Sequence, residues 1–152
     1  MKLEEEIYQR KFQSENQKAL VNFLYTHSYL INRLEGFFKS YGITRQQFNV
    51  LRILRGQEPG SVQLSLIKVR MLDKMSDASR IVERLRLKGL IARKQDKNDK
   101  RAVAISISPK GLKLLESADQ GIVEFYKLFD NLSPEELTTL NNLLDRLRGG
   151  LK

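Results

Sequence analysis

Residues 76–111 read SDASRIVERLRLKGLIARKQDKNDKRAVAISISPKG, and the fold turns on how that stretch divides. Ala78, Ile81, Val82 and Leu85 recur at the three-and-four spacing of a helix with one buried face. Ser76 stands where an N-cap is needed, since its hydroxyl can accept from a backbone N–H of the first turn. With the apolar stripe inward, Ser76, Ser79, Arg80, Glu83 and Arg84 lie towards the opposite face, short-chained at its start and cationic beyond. Gly89 suits the left-handed position just past a helix end, and Leu90 then packs back on Leu85 in a Schellman arrangement. The period now changes. Residues 90–94 and 102–108 predict paired strands, with Val103, Ile105 and Ile107 on one inward face and a charged loop, residues 95–101, at the tip. The hairpin is a wing beside a helix.

Upstream, residues 63–72 predict a short helix, and the intervening DKM makes the connection a helix-turn-helix. EPGS, residues 58–61, breaks the chain before it. Thr44 and Gln47 form a capping box for a helix reaching about Gly56, with Ile43 placed to staple onto Phe48. Before that, Leu20, Phe23, Leu24, His27, Leu30, Ile31, Leu34, Phe37 and Phe38 mark a long amphipathic helix ending near Gly42. Downstream, Ser108-Pro109 and Ser133-Pro134 each set an N-cap before a proline at the first helical position. The first of these helices carries Leu112, Leu115, Ile122, Phe125 and Phe129; the second carries Leu137, Leu140, Leu143, Leu144 and Leu147. The expected architecture is mainly α with a small β-hairpin, a winged helix-turn-helix with N- and C-terminal helices added. So much apolar helix exceeds what a small winged lobe needs for its own core, which points to a homodimer or, alternatively, to a larger monomeric helical domain.

The chain has 152 residues and a net charge of +9, and the charge is localised. From Lys68 to Arg101 there are twelve Lys or Arg against Asp73, Asp77, Glu83, Asp96 and Asp99, hence +7; residues 1–67 carry +3 and 102–152 carry −1. A confined positive segment is what a polyanion-binding face requires, because phosphate neutralisation with counterion release drives nucleic-acid affinity. Ser76, Asp77, Ser79 and Arg80 are placed to approach base edges in a major groove, with Arg84 a turn beyond. Lys97, Lys100 and Arg101 at the wing tip suit phosphate or a narrow minor groove. Asp96 and Asp99 serve there as supports, Asp99 lying two residues from Arg101 on one side of an extended chain, or simply as turn residues.

Other functions fit poorly. The sequence has no Cys, one His, no phosphate-cradling glycine loop and no metal-ligand spacing, so neither an enzyme nor a cofactor is expected. A winged-helix module that contacts protein and no DNA would tolerate an acidic or neutral wing, and this wing is basic. No apolar leader segment or membrane-length apolar run is present, so the expected location is the cytoplasm.

The order MSDASRIVERLRLKGLIARK, then DKNDKRAVAISISPKG, resembles the MarR family of bacterial winged-helix transcription regulators. The shared features are a recognition helix ending in Leu-x-x-Lys-Gly-Leu-Ile, Asp-x-x-Asp-x-Arg in the wing, and a strand closing on Ser-Pro-Lys-Gly. Lys68 and Asn98 depart from the residues common at their positions. The resemblance implies that residues 43–108 form a DNA-binding lobe and that 1–42 and 109–152 form a dimerisation region. It also implies that Ser76, Ser79 and Arg80 face bases and that Arg101 serves the wing; a two-fold dimer in turn should select an inverted-repeat operator. Since this family often binds small aromatic or anionic effectors, Tyr25, His27, Tyr29 and Tyr41 are candidate pocket residues, equally suited to interface packing.

Overall fold

The computed structural model describes residues 2–95 and 103–149. A four-residue helix that the periodicity does not announce, α1 (Leu3–Glu6), is tied to α2 (Glu15–Ser40) by a Glu4–Lys18 ion pair of 2.6 Å and by the Tyr25 hydroxyl donating to Glu6 at 2.6 Å. Ser14 caps α2 by accepting from the Gln17 amide, so the helix starts ahead of its first apolar repeat at Leu20. It ends in a Schellman motif: Gly42 has φ +67°, Ile43 N–H donates to the Phe38 carbonyl and Gly42 N–H to that of Lys39. The same device closes α5 (Ala78–Leu87), where Gly89 has φ +70°, Leu90 N–H donates to Leu85 O and Gly89 N–H to Arg86 O.

Between them, α3 (Arg45–Arg55) carries both halves of the Thr44/Gln47 capping box, at 3.2 and 3.1 Å. The next helix, α4 (Leu64–Arg70), is shorter than its periodicity suggests because Gln63 and Met71 both adopt extended backbone. A second correction concerns the start of α5. Its N-cap is Asp77, whose carboxylate accepts from the Arg80 amide at 3.1 Å, while the Ser76 hydroxyl donates instead to Asp73 at 2.7 Å. Both residue types cap well; here the Ser76 hydroxyl is turned to Asp73 three residues back, and Asp77 takes the cap.

The wing strands β1 (Ile91–Gln95) and β2 (Val103–Ile107) pair antiparallel with Ile91 opposite Ile107, Arg93 opposite Ile105 and Gln95 opposite Val103. Val62 joins the edge of β2 through two hydrogen bonds with Ile105, of 2.9 and 2.8 Å. Ile105 and Ile107 are buried as expected; Val103 is 38 % exposed, because it lies at the far end of the strand where the lobe no longer covers that face. The core beneath is formed by Phe38, Phe48, Leu51 and Leu54 from α2 and α3, Ile67 and Met71 around α4, and Val82 and Leu85 from α5.

α6 (Pro109–Tyr126) begins directly after β2. Ser108 accepts from the Gly111 amide at 3.0 Å and donates to the Gly89 carbonyl at 2.7 Å. Gly111 is required by space: a Cβ there would stand 2.2 Å from the Leu90 carbonyl oxygen. The chain divides into two compact parts, Met1–Leu112 and Lys113–Lys152. In the second, the rest of α6 runs into a 3-10 turn (Lys127–Phe129) and then α7 (Pro134–Gly149), which has the Ser133/Glu136 capping box. Leu115 and Ala118 are buried, but Val123, Tyr126, Leu143 and Leu147 are exposed.

Candidate nucleic-acid interface

The start of α5 is held in place from α3. Asp73, in the turn between α4 and α5, accepts from the Met75 amide (3.1 Å), the Ser76 hydroxyl (2.7 Å) and the Gln46 amide group (3.5 Å), and faces Arg45 at 4.0 Å. Hydrogen bonding from Ser76 is the leading reason its carboxyl is held below the ordinary aspartate range, with burial opposing. Asn49 on α3 accepts from the Leu72 amide at 2.9 Å, and Lys74 donates to the Val69 carbonyl. The turn is therefore fastened on both sides.

Of the residues singled out in the sequence, Ser76 is half-buried and turned to Asp73, and Asp77 is exposed with its carboxylate engaged as the cap. Ser79, Arg80 and Arg84 are exposed on the face opposite Ala78, Val82 and Leu85. Ser79 borders a groove of about 390 Å³ with Gln63, Ser65, Arg93 and Val103. Arg84 borders another, of about 520 Å³, with Lys39, Thr44 and Lys88. The two side chains thus open onto grooves on either side of α5. Asp96, Lys97, Asp99, Lys100 and Arg101 lie outside the described residues.

The aromatic set is not brought together. Tyr25, His27 and Tyr29 are exposed on α2, as are Leu20, Phe23 and Leu24, so the apolar stripe that carries His27 is left open by this chain at that level. Tyr29 accepts from Arg33 at 2.6 Å and lies under its guanidinium, while the Tyr25 hydroxyl is held by Glu6, which raises its pKa. Tyr41 packs on Phe37, and at 1.5 Å per residue α2 separates it from Tyr25 by about 24 Å, too far for both to line one small cavity within this chain.

Three contributors escape sequence reasoning. Glu83 accepts from Arg86 at 2.7 Å and from Arg93 on β1 at 3.1 Å. Lys88 donates to the Gly42 carbonyl and, at 3.3 Å, to Gln47, joining the two Schellman ends. For Asp73 a local signal did exist, an Asp in a short break between helices, where its carboxylate can accept the backbone N–H two residues on as an Asx turn, here that of Met75. Among the described residues no group of acidic or His side chains could hold a metal ion, and no helix is long and apolar enough to cross a membrane.

A tri-helical lobe whose third helix leads straight into a two-stranded wing, with a braced turn before it, is a winged helix-turn-helix. Residues 43–103 match the family model described as the MarR family. The multiple antibiotic resistance protein MarR of Salmonella typhimurium strain LT2 is 32 % identical over 127 residues, covering 78 % of this chain and 86 % of that protein. The chain belongs to the MarR family of DNA-binding transcription regulators. Solved structures share the fold: the organohalide-sensing RdhR regulator in its 2,4-dichlorophenol-bound form has a TM-score of 0.80 at 21 % identity, over 94 % of this chain and 87 % of that one. The S. aureus MepR–DNA complex has a TM-score of 0.76 at 21 % identity, over 87 % and 95 %.

Proposed function

We propose that this chain regulates transcription as a homodimer that sets one α5 into each half of an inverted-repeat site in double-stranded DNA. The exposed face of α5, small at its start and cationic beyond, carries the reading. Ser76, Ser79 and Arg80 are assigned to base edges, with Asp77 shaping the helix start. Arg84 is assigned to the flanking backbone. In the wing, Lys97, Lys100 and Arg101 take phosphate or minor groove, with Asp96 and Asp99 as supports. MepR, a neighbour in fold, was solved on DNA.

Residues 43–108 act as the DNA-binding lobe, and 1–42 with 109–152 as the dimerisation region. Apolar side chains left open on α2 and α7, Leu20, Leu24, Leu143 and Leu147 among them, support that assignment. A small effector is part of the proposal, supported by the dichlorophenol on RdhR; Tyr25, His27 and Tyr29 are one candidate contact and Tyr41 a separate one. The protein acts in the cytoplasm, without catalysis and without a cofactor.

Selection of bound fragments from random duplex DNA tests the function. Enrichment of an inverted repeat with half-site centres about 10 base pairs apart, one helical turn, is expected. Enrichment of nothing would favour a protein-interaction module, and a single asymmetric half-site would rule out the two-fold arrangement.

A further inference from the structure

Glu83 is out of place electrostatically. It lies on α5 one turn beyond Arg80, within the segment that carries +7, where a carboxylate repels the polyanion that segment is built to meet. Its two oxygens are fully engaged. Arg86, three residues on, donates from Nε at 3.1 Å to each oxygen and from Nη2 at 2.7 Å to Oε1. Arg93, in the middle of β1, donates from Nη1 to Oε2 at 3.1 Å. Arg86 first, and Arg93 after it, hold the carboxyl below the ordinary glutamate range, with burial opposing. The three side chains are 39 to 46 % exposed, so as ion pairs they add little to stability. What they do is geometric: one carboxylate spans the reading helix and the first wing strand across the Schellman turn that separates them.

We infer that Glu83 is a positioning residue, which fixes the wing strands against the reading helix through Arg93 and withholds both guanidiniums from indiscriminate contact with phosphate. The inference rests on the DNA-binding reading. Without the brace, β1 loses this ion-paired tie to α5, and helix and wing meet their two DNA surfaces in a less fixed relation. The freed arginines meanwhile become available to any phosphate. Discrimination therefore falls from both directions.

The test compares the full-length protein with Glu83→Gln, Arg93→Gln and the charge-swapped pair Glu83→Arg/Arg93→Glu on the selected duplex and on random duplex, each over a salt series. Thermal melting checks folding, and the swapped pair, which conserves composition, keeps the test open if a single variant unfolds. Glu83→Gln and Arg93→Gln should each lower the ratio of specific to random affinity by about threefold to tenfold, the range of coupling within one ion-pair network. Glu83→Gln should also steepen the salt slope on random duplex by roughly 0.9 for each additional phosphate neutralised, which a merely structural loss would not do. The swapped pair restores the tie between α5 and β1 but leaves Arg86 without its carboxylate, so it should recover the ratio in part and stand above both single variants. Unchanged ratios in both single variants would overturn the inference, as would loss in Glu83→Gln alone, which would place the effect in Arg86, or a swapped pair no better than the singles. If the unaltered protein selects no duplex, the DNA-binding reading fails and takes the inference with it; selection by the unaltered protein with equal selection by the variants sinks the inference alone.

Discussion

The winged lobe and α7 are built from the same residue and bury it to opposite extents. Leu51 and Leu85 in the lobe are 0 % exposed, whereas Leu143 and Leu147 on α7 are 52 and 56 % exposed. All four sit on the apolar stripe of a helix, so helical period does not separate them. What differs is the supply of opposing surface. In the lobe, α2, α3, α4, α5 and β2 each contribute a buried face to one core. Around α7, the apolar groove of about 900 Å³ between Tyr126, Phe129, Leu137 and Leu144 is left open by its own part of the chain. Periodicity announces that a face will be covered; it does not say by which molecule.

The most severe way to break this comparison is to cut the same side chain in both regions. Leu51→Ala should cost roughly 2–5 kcal/mol in urea unfolding, the range for a buried leucine that leaves a cavity. Leu143→Ala should cost under about 1 kcal/mol in the dissociated chain, as expected of a half-exposed position, and should instead move sedimentation towards monomer. Equal losses would show that α7 is as self-contained as the lobe.

Next in size, Arg80→Ala sharpens the contrast within the lobe between reading and holding. It should cost about 1–3 kcal/mol on the selected duplex and far less on random DNA, since a guanidinium can donate twice to a guanine edge. Lys100→Ala should weaken both duplexes alike and lower the salt slope by about one counterion. An equal loss on both duplexes for Arg80→Ala would make it a phosphate anchor. Gly111→Ala asks how tightly the lobe is closed. The methyl has no room beside the Leu90 carbonyl, and the expected destabilisation is roughly 1–3 kcal/mol, read from the unfolding midpoint. A neutral substitution would mean that the first turn of α6 is free to shift.

The smallest effect is expected at Asp73. Folding lowers its pKa, so its stabilising contribution is complete above the unfolded value, near 4, and is lost as pH falls through the folded value. Asp73→Asn should therefore cost about 1 kcal/mol at neutral pH, and the gap between the two proteins should close in acid. A gap that widens on acidification would contradict the assigned hydrogen bonds.

Most of the lobe is legible in the sequence because its devices are local. Thr44 with Gln47, Gly89 with Leu90, and Ser108-Pro109 each act within a few residues, and the switch from a period of 3.6 to 2 marks the wing. The cap falls on Asp77 and not on Ser76, whose hydroxyl is turned to Asp73 three residues back, because neighbouring good capping residues leave the exact start of a helix open. The candidate interface is legible in part. That Ser79, Arg80 and Arg84 are exposed follows from the stripe opposite them, but the Glu83–Arg93 brace depends on where β1 lands beside α5, and the Lys88 bridge on Gly42 approaching from a distant helix. Neither spacing exists along the chain. Val103 shows the reverse failure, an apolar pattern continuing to the end of a strand where the lobe no longer covers it.

Two hydrogen bonds between Val62 and Ile105 have a consequence for how the lobe comes apart. They join the segment before α4 to the second wing strand, so α4, the turn, α5 and β1 are enclosed in one backbone loop. Closing such a loop costs entropy that is recovered only when the enclosed elements are packed together. The reading helix is thus a member of a single cooperative unit rather than a segment that frays on its own. Amide exchange at Ile105 should accordingly need the opening of the whole lobe, and the exposed residues of α5 inherit the stability of a core they do not touch.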